Sequence, residues 1–373
     1  MELKIGVPEL AKALARSQGI VEKKTTMPIL SHVLLEAKKD GKLVVSATDL
    51  DVSVSGEHDC EVSREGAVAV SARHLYDIVK SLPEAGVTLK KAQNNYLEVT
   101  SGSAEFRIVG LPAEDFPALP RFDKVKWSTV SPADLLAMIE LTSFAVSTDE
   151  TRYNLNGVYF EPSGGELRMV ATDGHRLSLA RRPVEGEFGL KKGVILPKKG
   201  LAELKKLLQE ALESGEEKPE VKLGFVENSA VVTRPRVTLA MRLIEGVFPD
   251  YRQVIPKQGE KSVKLGRLRF LETLRRISLL SSDKAHAVKL DLAPGLLQVL
   301  SQNPDLGEAR EEVPVEYQGE PLRIGFNARY LTDVLQALQT ADVVLELADD
   351  LSPGVVKPEG DDGYTAVIMP MRI

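Results

Sequence analysis

The sequence predicts an α+β protein made of three repeated domains. The first observation behind this class is a hairpin that occurs three times. Tyr153–Arg182 has the pattern of two strands joined by a Gly164–Gly165 turn, and altered copies lie at Ile29–Gly56 and Ala285–Glu311. Alternating apolar and polar residues on both sides of a glycine turn are typical of a β-hairpin with one buried face.

The second observation is a pair of amphipathic helical patterns in each repeat. Leu75, Leu201 and Leu331 hold matching places in the second helix of the three repeats, 126 and 130 residues apart. This period is far longer than that of a solenoid repeat. Each repeat has two helices and roughly eight short strands, so we expect an antiparallel sheet with both helices packed on one face. We place the domains at residues 1–124, 125–258 and 259–373.

The first repeat opens with a predicted helix over Pro8–Arg16, where the apolar residues recur at helical spacing. A second helix is predicted over Ser71–Leu82, with Ser71 as its N-cap and Pro83 just beyond its end. The other segments with alternating polarity predict a hairpin turn at Asp40–Gly41 and strands over Val87–Lys91, Tyr96–Ser101 and Glu105–Val109.

The second repeat opens with a helix at Ser131-Pro132, a capping serine followed by a proline in the first turn. Three more helices are predicted over Lys198–Glu210, Arg267–Leu280 and Asn327–Gln339, and the third hairpin turn at Pro294–Gly295. The chain ends in a predicted strand that runs to Met369. We expect Pro370 to free the tail from the sheet, because proline lacks the amide proton that a ladder needs.

Composition places the chain among ordinary globular proteins. It has 373 residues, of which 43% are hydrophobic and 27% charged, with a formal net charge of −6. No apolar run reaches the roughly 20 residues that span a bilayer, and the N-terminus lacks the pattern of a secretory signal. The single cysteine, Cys60, excludes an internal disulfide and suits a reducing cytoplasm.

The sequence offers little that resembles a catalytic centre. It contains no P-loop, GxGxxG, GxSxG or CxxC motif, and its five histidines are at least 16 residues apart. We therefore predict no catalytic residue, no metal site and no cofactor. One alternative stays open: Asp173 and His175, two residues apart, could form half of a charge relay in a hydrolase.

Basic residues are concentrated in the predicted helices. The six helical windows hold thirteen basic and seven acidic residues, a net charge of +6, which leaves −12 for the rest of the chain. Lysine and arginine often decorate solvated helix faces. A basic helical lining in an acidic protein would also hold a polyanion in one place and repel it elsewhere.

The whole chain resembles the bacterial DNA polymerase III beta subunits, the sliding clamps. The residues that carry the resemblance are Pro28-Ile29-Leu30, Thr48-Asp49-Leu50-Asp51, Asp115-Phe116-Pro117, Arg152–Gly157, Ala171–Leu177, Phe248-Pro249-Asp250-Tyr251, Ile324–Asn327 and Met369-Pro370-Met371-Arg372. The resemblance implies the DNA-clamp fold in each domain and a head-to-tail homodimer that closes six domains into a ring around double-stranded DNA. Such a ring would be a cytoplasmic, nucleoid-associated processivity factor with no membrane partner.

The resemblance also implies the functional residues. For DNA contact these are Lys12, Lys24, Arg73, Tyr153 and Lys198. A groove for short hydrophobic peptides would be lined by Leu155, Thr172, Gly174, His175, Arg176, Leu177, Pro249, Val254, Tyr330, Leu351, Val367, Met369, Pro370 and Met371. Its partners would be the DNA polymerase III alpha subunit, the clamp loader delta subunit, and other DNA polymerases and repair proteins.

For the dimer interface, the resemblance implies that Phe106 and Ile108 meet Leu279 and Leu280 of the partner, flanked by Glu308, Glu311 and Glu312. Glu105 stands where relatives place a basic residue, so the pattern of ion pairs must differ. A third hypothesis is a monomeric nucleic-acid-binding adaptor that forms no ring. The mass of the protein in solution separates it from a closed dimer.

Overall fold

The computed structural model describes residues 1–22, 26–83, 85–120, 122, 125–184, 186–256, 259–281 and 286–372. It contains two compact units. Unit 1 comprises Met1–Ala133, Glu185–Lys191 and Lys199–Leu243, and unit 2 comprises Asp134–Val184, Lys192–Lys198 and Ile244–Ile373. The predicted domain boundaries after residues 124 and 258 fall on Lys124 and Gln258, which lie outside the described residues.

The described residues form six α-helices, and each follows a predicted amphipathic pattern. They are α1 (Val7–Ser17), α2 (Ala72–Ser81), α3 (Pro132–Thr142), α4 (Lys198–Leu212), α5 (Arg267–Ile277) and α6 (Ala328–Ala337). The predicted N-cap of α2 is confirmed, since the Ser71 hydroxyl accepts from the His74 amide at 3.5 Å. The helix predicted to run to Leu280 ends at Ile277, and Ser278–Leu280 forms a separate 3-10 helix.

Twenty-six strands are described, most of them short. The first repeat contains β1 (Glu2–Gly6), β2 (His32–Lys38), β3 (Lys42–Thr48), β4 (Val52–Asp59), β5 (Glu61–Arg64), β6 (Gly66–Ser71), β7 (Gly86–Lys91), β8 (Leu97–Ser101), β9 (Ala104–Ile108) and β10 (Gly110–Leu111). The second contains β11 (Lys126–Val130), β12 (Gly157–Ser163), β13 (Glu166–Thr172), β14 (Arg176–Pro183), β15 (Val194–Pro197), β16 (Val221–Val226), β17 (Ser229–Arg234) and β18 (Val237–Arg242). The third contains β19 (Lys261–Gly266), β20 (Ala287–Ala293), β21 (Leu296–Asn303), β22 (Gly307–Pro314), β23 (Leu322–Asn327), β24 (Asp342–Leu347), β25 (Gly354–Pro358) and β26 (Tyr364–Ile368).

Unit 1 holds two antiparallel sheets. One has the strand order β5-β1-β7-β8-β9, and the other has nine strands in the order β10-β6-β2-β3-β4-β18-β17-β16-β11. The longer sheet contains strands from the first and second repeats, joined where β4 pairs with β18. Most of its buried residues are aliphatic, and the buried polar ones include Ser46, Thr48, Ser53 and His58.

Unit 2 also holds two antiparallel sheets. Eight strands follow the order β15-β12-β13-β14-β26-β25-β24-β19, and four follow the order β22-β21-β20-β23. Here strands of the second and third repeats are joined where β14 pairs with β26. The expectation of one sheet per repeat was therefore wrong. Each repeat divides its strands between two sheets, and a sheet continues from one repeat into the next.

The three predicted hairpin turns are confirmed, since β2–β3, β12–β13 and β20–β21 pair around them. The tail differs from the prediction. After Pro370 the Met371 amide donates to the Gly325 carbonyl at 2.8 Å, so the chain leaves β26 but bonds at once to the end of β23. Among the described residues, no helix is long and apolar enough to cross a membrane.

Candidate functional site

A tight turn between β13 and β14 is the centre of the site. The Asp173 carboxylate accepts from the amides of His175 and Arg176 at 2.9 and 3.0 Å, and the Thr172 hydroxyl accepts from the Gly174 amide at 3.1 Å. Gly174 has φ of +90°, a left-handed conformation that suits glycine. Side-chain acceptors at Thr172 and Asp173 thus fix the backbone and hold His175 at the surface.

An apolar cavity of about 150 Å³ lies beside this turn in unit 2. Ten of the fourteen residues predicted to form the peptide groove line it: Leu155, Thr172, Gly174, His175, Arg176, Leu177, Pro249, Val254, Val367 and Met369. Val254 is 49% exposed and Met369 42% exposed, so two apolar side chains lie at its mouth. A small apolar cavity with a few polar groups at its rim has the character of a ligand site.

The floor of the cavity is part of the unit 2 core. Leu155, Leu177 and Val367 belong to one buried cluster that also contains Phe248 and Tyr251. The Phe248 ring is stacked on Tyr159, with centroids 4.9 Å apart. These large rings fix the cavity walls, so the site does not have to be ordered when a ligand binds.

The structure adds Asp250 and Tyr251 to the lining of the cavity. The family resemblance includes the segment Phe248–Tyr251, but it implies only Pro249 of this segment as a groove residue. Asp250 accepts from the Arg252 amide, and the Tyr251 hydroxyl donates to Glu161 at 2.7 Å. Burial, with Glu161 as hydrogen-bond partner, raises the pKa of Tyr251. Phe-Pro recurs at Phe116-Pro117 and Phe248-Pro249, and this repeat was the available signal.

Four predicted groove residues lie outside the cavity lining. Pro370 and Met371 follow Met369, whose amide donates to the His175 carbonyl at 2.9 Å. Leu351 is 65% exposed in a loop where its amide is capped by Asp349. The Tyr330 ring instead stacks near the His175 imidazole, with centroids 6.4 Å apart.

Tyr330 helps to line a second, polar cavity of about 690 Å³ next to the first. Arg176 separates the two. Its guanidinium donates to Asp173 at 3.1 Å and Asp333 at 2.6 Å, and it lies 4.6 Å from the Tyr330 ring centroid. Burial raises the pKa of Tyr330, and the Asp173 charge acts in the same direction. This network gives the apolar cavity one rigid, charged wall.

The residues predicted to touch DNA are surface residues wherever the structure describes them. In unit 1, Lys12 lies exposed on α1 and Arg73 exposed on α2. In unit 2, Lys198 begins α4 and lines the polar cavity, and Tyr153 is 59% exposed. Lys24 lies outside the described residues. These positions suit loose contact with phosphates.

Two sheet edges carry the residues predicted for the dimer interface. In unit 1, Phe106 and Ile108 lie on β9, an edge strand, and Phe106 is 37% exposed. In unit 2, Leu279 is 77% exposed beside half-buried Leu280, and Glu308 lies exposed on β22, also an edge strand.

The acidic residues of β22 differ in their surroundings. Glu311 points to the helical side, where it accepts from Thr273 at 2.8 Å and Arg276 at 2.7 Å. The Arg276 guanidinium lowers the pKa of Glu311. Glu312 lies on the opposite face, bonded to Arg310 at 2.5 Å. Glu311 is therefore held within its own chain, whereas Glu308 and Glu312 remain at the outer face.

The charge relay of the hydrolase hypothesis is not formed. Both carboxylate oxygens of Asp173 are engaged by the turn amides and by Arg176, and no hydrogen bond joins Asp173 to the His175 imidazole within the described part of the chain. A search of the described residues for groups of three or more metal-ligating side chains finds none.

Comparisons with known proteins agree along the whole chain. Three family models match in succession: the DNA polymerase III beta subunit N-terminal domain over residues 1–120, the central domain over 129–250 and the C-terminal domain over 252–372. The beta sliding clamp of Caulobacter vibrioides strain NA1000 is 39% identical over 381 aligned residues, covering 100% of both chains.

Solved structures of sliding clamps share the fold. The DnaN sliding clamp of Pseudomonas aeruginosa bound to griselimycin is 36% identical, with a TM-score of 0.93 and 100% of both chains covered. The Bartonella birtlesii clamp bound to griselimycin is 35% identical, with a TM-score of 0.94 and the same coverage.

Proposed function

The chain belongs to the DNA polymerase III beta subunit family, the beta sliding clamps, and from this premise we propose that two copies close head to tail into a ring around duplex DNA. Members of this family are non-catalytic processivity factors in DNA replication. The observation that carries the ring is that β9, in the first repeat, and β22, in the third repeat, are both unpaired sheet edges. Two different edges on one chain favour a heterologous contact, which closes into a ring when the rotation allows.

The ring acts by topology, without chemistry on DNA. Closed around the duplex, it stays on the template while loose contacts to phosphate let it slide. Lys12, Lys24, Arg73, Tyr153 and Lys198 are the proposed contact residues, and none is assigned a role in reading bases. A ring of this kind keeps the polymerase at the primer end, which is what processivity requires.

The apolar cavity of unit 2 is the proposed docking site for partners. Short hydrophobic peptides would bury one or two side chains against Leu155, Leu177 and Val367, while the backbone meets the polar turn at His175. Met369 adapts its shape to different side chains. The proposed partners are the DNA polymerase III alpha subunit, the clamp loader delta subunit, and other polymerases and repair proteins. Their site of action would be the nucleoid in the cytoplasm.

Retention on DNA tests the ring. The protein is loaded onto nicked circular DNA with a clamp loader and ATP, and its release is followed in moderate salt before and after the circle is cut. We expect retention on the circle and rapid loss from the linear form. Equal release from both forms would mean ordinary electrostatic binding and would favour the monomeric adaptor.

A variant with an altered edge provides the control. The variant carries both Phe106→Asp and Leu279→Asp. Because a ring has two copies, four carboxylates then lie at its two proposed joints, and the groove is unchanged. We expect this variant to bind partner peptide with wild-type affinity but to be lost from circular DNA. Retention of the variant on the circle would contradict closure through these edges.

Two relatives were solved bound to griselimycin, and we propose that it binds this chain in the groove, which makes it a probe for that site. We expect Met369→Asp to weaken griselimycin binding at least tenfold in calorimetric titration, since a charge would stand at the apolar mouth. Leu212→Asp is the matched control, because Leu212 is 41% exposed at the end of α4 in unit 1. Equal weakening in both variants would count against the groove.

A further inference from the structure

The proposed ring brings β9 of one copy beside the partner's β22, and from the residues of this chain we propose that the two strands align in a single antiparallel register. In this register Glu105 lies opposite the partner's Arg310, and Arg107 lies opposite the partner's Glu308. The inference rests on the proposed ring and goes beyond it, because it fixes which residues face each other and why no other alignment competes. Two independent observations lead to the same register.

The first observation concerns the places where a half-sheet of one repeat pairs with a half-sheet of another. Two such joints lie within the chain and have the same arrangement, and the two half-sheets that would form a third are not paired. In unit 1, the half-sheet β6-β2-β3-β4 meets β18-β17-β16-β11, and in unit 2 the half-sheet β15-β12-β13-β14 meets β26-β25-β24-β19. The corresponding strands of the third and first repeats are β23-β20-β21-β22 and β9-β8-β7-β1. The first set is a whole sheet and the second is four of the five strands of another, and β22 and β9 each lie at an unpaired edge. A second copy supplies the missing half to each.

Equivalent positions on β4, β14 and β22 can be identified from the strand that precedes each of them. Each preceding strand has a small buried residue that is at most 1% exposed: Ala47, Ala171 or Ser301. The residues that pair with these three are Val54, Ser178 and Ala309, respectively. Ala309 is therefore the counterpart of Val54 and Ser178 on the free edge β22.

Equivalent positions on β18, β26 and β9 can be identified in the same way. Each preceding strand has a buried valine that is at most 1% exposed: Val232, Val356 or Val99. The residues that pair with these three are Leu239, Ala366 and Phe106, respectively. Phe106 is therefore the counterpart of Leu239 and Ala366 on the free edge β9.

The two joints within the chain use these positions identically. Val54 lies opposite Leu239, and Ser178 lies opposite Ala366, both in antiparallel ladders. The same rule places Phe106 opposite the partner's Ala309. A large ring then faces a methyl group beside the apolar 3-10 helix at Leu279, which packs against β22. The neighbouring pairs are then Glu105 with the partner's Arg310 and Arg107 with the partner's Glu308.

The second observation is the charge pattern, which was not used to derive this register. On the face away from the helices, β9 carries Glu105 and Arg107, and β22 carries Glu308, Arg310 and Glu312. Directly opposite side chains interact at about 5 Å, so opposite charges stabilise the pairing and like charges oppose it. In the register derived above, both pairs are attractive.

Shifting the register by two residues removes this match. A shift in one direction places Glu105 opposite Glu312 and Arg107 opposite Arg310, and a shift in the other direction places Glu105 opposite Glu308. A shift by one residue turns Phe106 away from the buried face. Among the described residues, neither Glu105 nor Arg107 has an ion-pair partner within its own chain. The Arg107 guanidinium lies over the Tyr96 ring, 4.4 Å from its centroid, so its charge is not neutralised there.

The internal joints do not use charges at these positions. The pairs that correspond to the two ion pairs are Ser55–Thr238 and Ser53–Ala240 in unit 1, and Leu179–Thr365 and Leu177–Val367 in unit 2. Covalent connection already limits which strands can meet there. A joint between separate chains lacks that restriction, and alternating charges select both the partner strand and its alignment.

Charge reversal tests the register in the full chain. Dimer dissociation constants are measured by analytical ultracentrifugation for the wild type, Glu105→Arg, Arg310→Glu and the double variant. Each single reversal acts at two joints per ring, so we expect it to raise the dissociation constant about tenfold or more. The double variant should return to within about threefold of the wild type. Glu61→Arg, on the other edge of the same sheet, should leave the constant unchanged.

The outcomes separate the register from the ring. Additive weakening in the double variant would overturn the register while the dimer itself stands. A wild type that stays monomeric at micromolar concentration would instead overturn the proposed ring.

Disulfide trapping measures the alignment directly. In a Cys60→Ser background, Glu105→Cys with Arg310→Cys should yield a covalent dimer on mild oxidation, because opposite Cα atoms lie about 4.5–5.5 Å apart. The matched control, Glu105→Cys with Glu312→Cys, places the thiols on a diagonal of about 7–8 Å and should cross-link poorly. A control that cross-links better than the test pair would show that the register is shifted by two residues.

Discussion

Unit 1 and unit 2 contain two copies of the same turn with different surroundings. In unit 1 the Leu50 amide donates to the Thr48 hydroxyl at 3.0 Å, and Asp49 accepts from the next two amides. Thr172 and Asp173 make the equivalent bonds in unit 2. The third residue is left-handed in both, with φ of +80° at Leu50 and +90° at Gly174. The backbone is thus the same, and the difference lies in side chains.

The side chains around the two turns differ. We call the first turn closed, because a lysine bonds to its aspartate, and the second open, because a cavity lies beside it. In unit 1 the free oxygen of Asp49 bonds to Lys199, which also donates to the Ile20 carbonyl at 2.9 Å. In unit 2 the third residue is a glycine without a side chain, and the apolar cavity lies beside the turn. The proposed docking site and the first turn therefore share one backbone and differ in one side chain and one partner. We expect the same backbone constraint to serve stability in one copy and recognition in the other.

Placing the leucine of the first turn into the second should have the largest effect. We expect Gly174→Leu to reduce the affinity for a short hydrophobic peptide at least a hundredfold. A Cβ at Gly174 would lie 2.9 Å from an Arg152 guanidinium nitrogen, and the rest of the side chain would occupy the cavity mouth. Left-handed leucine also costs about 1–2 kcal/mol. Fluorescence polarisation with a labelled peptide measures the loss.

Gly164→Leu separates occlusion from strain. Gly164 also has positive φ, +62°, but nothing lies within 4 Å of its Cβ position, and it is not among the residues that line the cavity. We expect similar destabilisation and normal peptide affinity. If Gly164→Leu lowers affinity as much as Gly174→Leu, occlusion is not the cause.

Removing the aspartate of either turn should destabilise the unit that contains it. Only the removal of Asp173, in unit 2, should also weaken peptide binding. Asp49 and Asp173 each accept two amide bonds and one cationic partner, so we expect Asp49→Ala and Asp173→Ala to cost about 2 kcal/mol of unfolding free energy each. Asp173→Ala should also lower peptide affinity about tenfold, because Arg176 and His175 lose their support. Urea denaturation and peptide titration report the two effects.

Asp51→Ala controls for charge in the first turn, since Asp51 is exposed there. Its effect on stability should stay below about 0.5 kcal/mol. Equal effects of Asp49→Ala and Asp173→Ala on peptide affinity would contradict the division between a closed and an open turn.

Periodicity in the sequence was enough to predict the six helices, the three hairpins and the repeat itself. Short-range signals dominate these elements: apolar residues three and four apart, a serine cap at Ser71, glycine at a turn. The joining of sheets across repeats was missed, because β4 and β18 are separated by about 180 residues and no local pattern marks their pairing. Long-range pairing is chosen by the packing of the whole unit.

The candidate site also contains residues that were predicted correctly and residues whose positions depend on long-range packing. Ten groove residues inferred from family resemblance meet at one cavity, whereas Tyr330 lies at the neighbouring polar cavity. Its position depends on Arg176 and Asp333, which approach from different elements. Leu50 is a second example. Nothing in its residue type predicts a left-handed backbone, which side-chain acceptors at Thr48 and Asp49 impose.

The histidines near the two turns differ in burial, and the buried one should make the stability of unit 1 depend on pH. His175 is exposed on the second turn, whereas His58, on β4, is 1% exposed and 2.5 Å from a Glu9 oxygen. Burial lowers the pKa of His58, Glu9 opposes the shift, and Arg16 and Lys12 add to it. The folded state therefore favours the neutral imidazole more than the unfolded chain does, and the unfolded chain takes up a proton near pH 6.5.

Unit 1 should accordingly lose stability as pH falls below about 6.5, by up to about 1.4 kcal/mol per pH unit. The stabilisation is complete above the unfolded pKa, because there neither state binds the proton. Trp127, the only tryptophan, lies in unit 1 and reports its unfolding in urea at pH 8, 6.5 and 5. We expect His58→Gln to flatten this dependence. The slope that remains would belong in part to His32, whose pKa burial also lowers. An unchanged slope would exclude His58 as the titrating group.

The smallest effect should come from relieving strain in the first turn. Leu50 is 56% exposed, so its side chain gains little from burial, yet its backbone is left-handed. We expect Leu50→Gly to be more stable than Leu50→Ala by about 1 kcal/mol, because alanine keeps the backbone strain and glycine does not. Relative to the wild type, Leu50→Gly should change the unfolding free energy by less than about 0.5 kcal/mol, since relieved strain is offset by greater freedom of the unfolded chain. Thermal denaturation of the three proteins measures the order. A glycine variant less stable than the alanine variant would mean that the two turns do not share one backbone requirement, and the equivalence between them would fail.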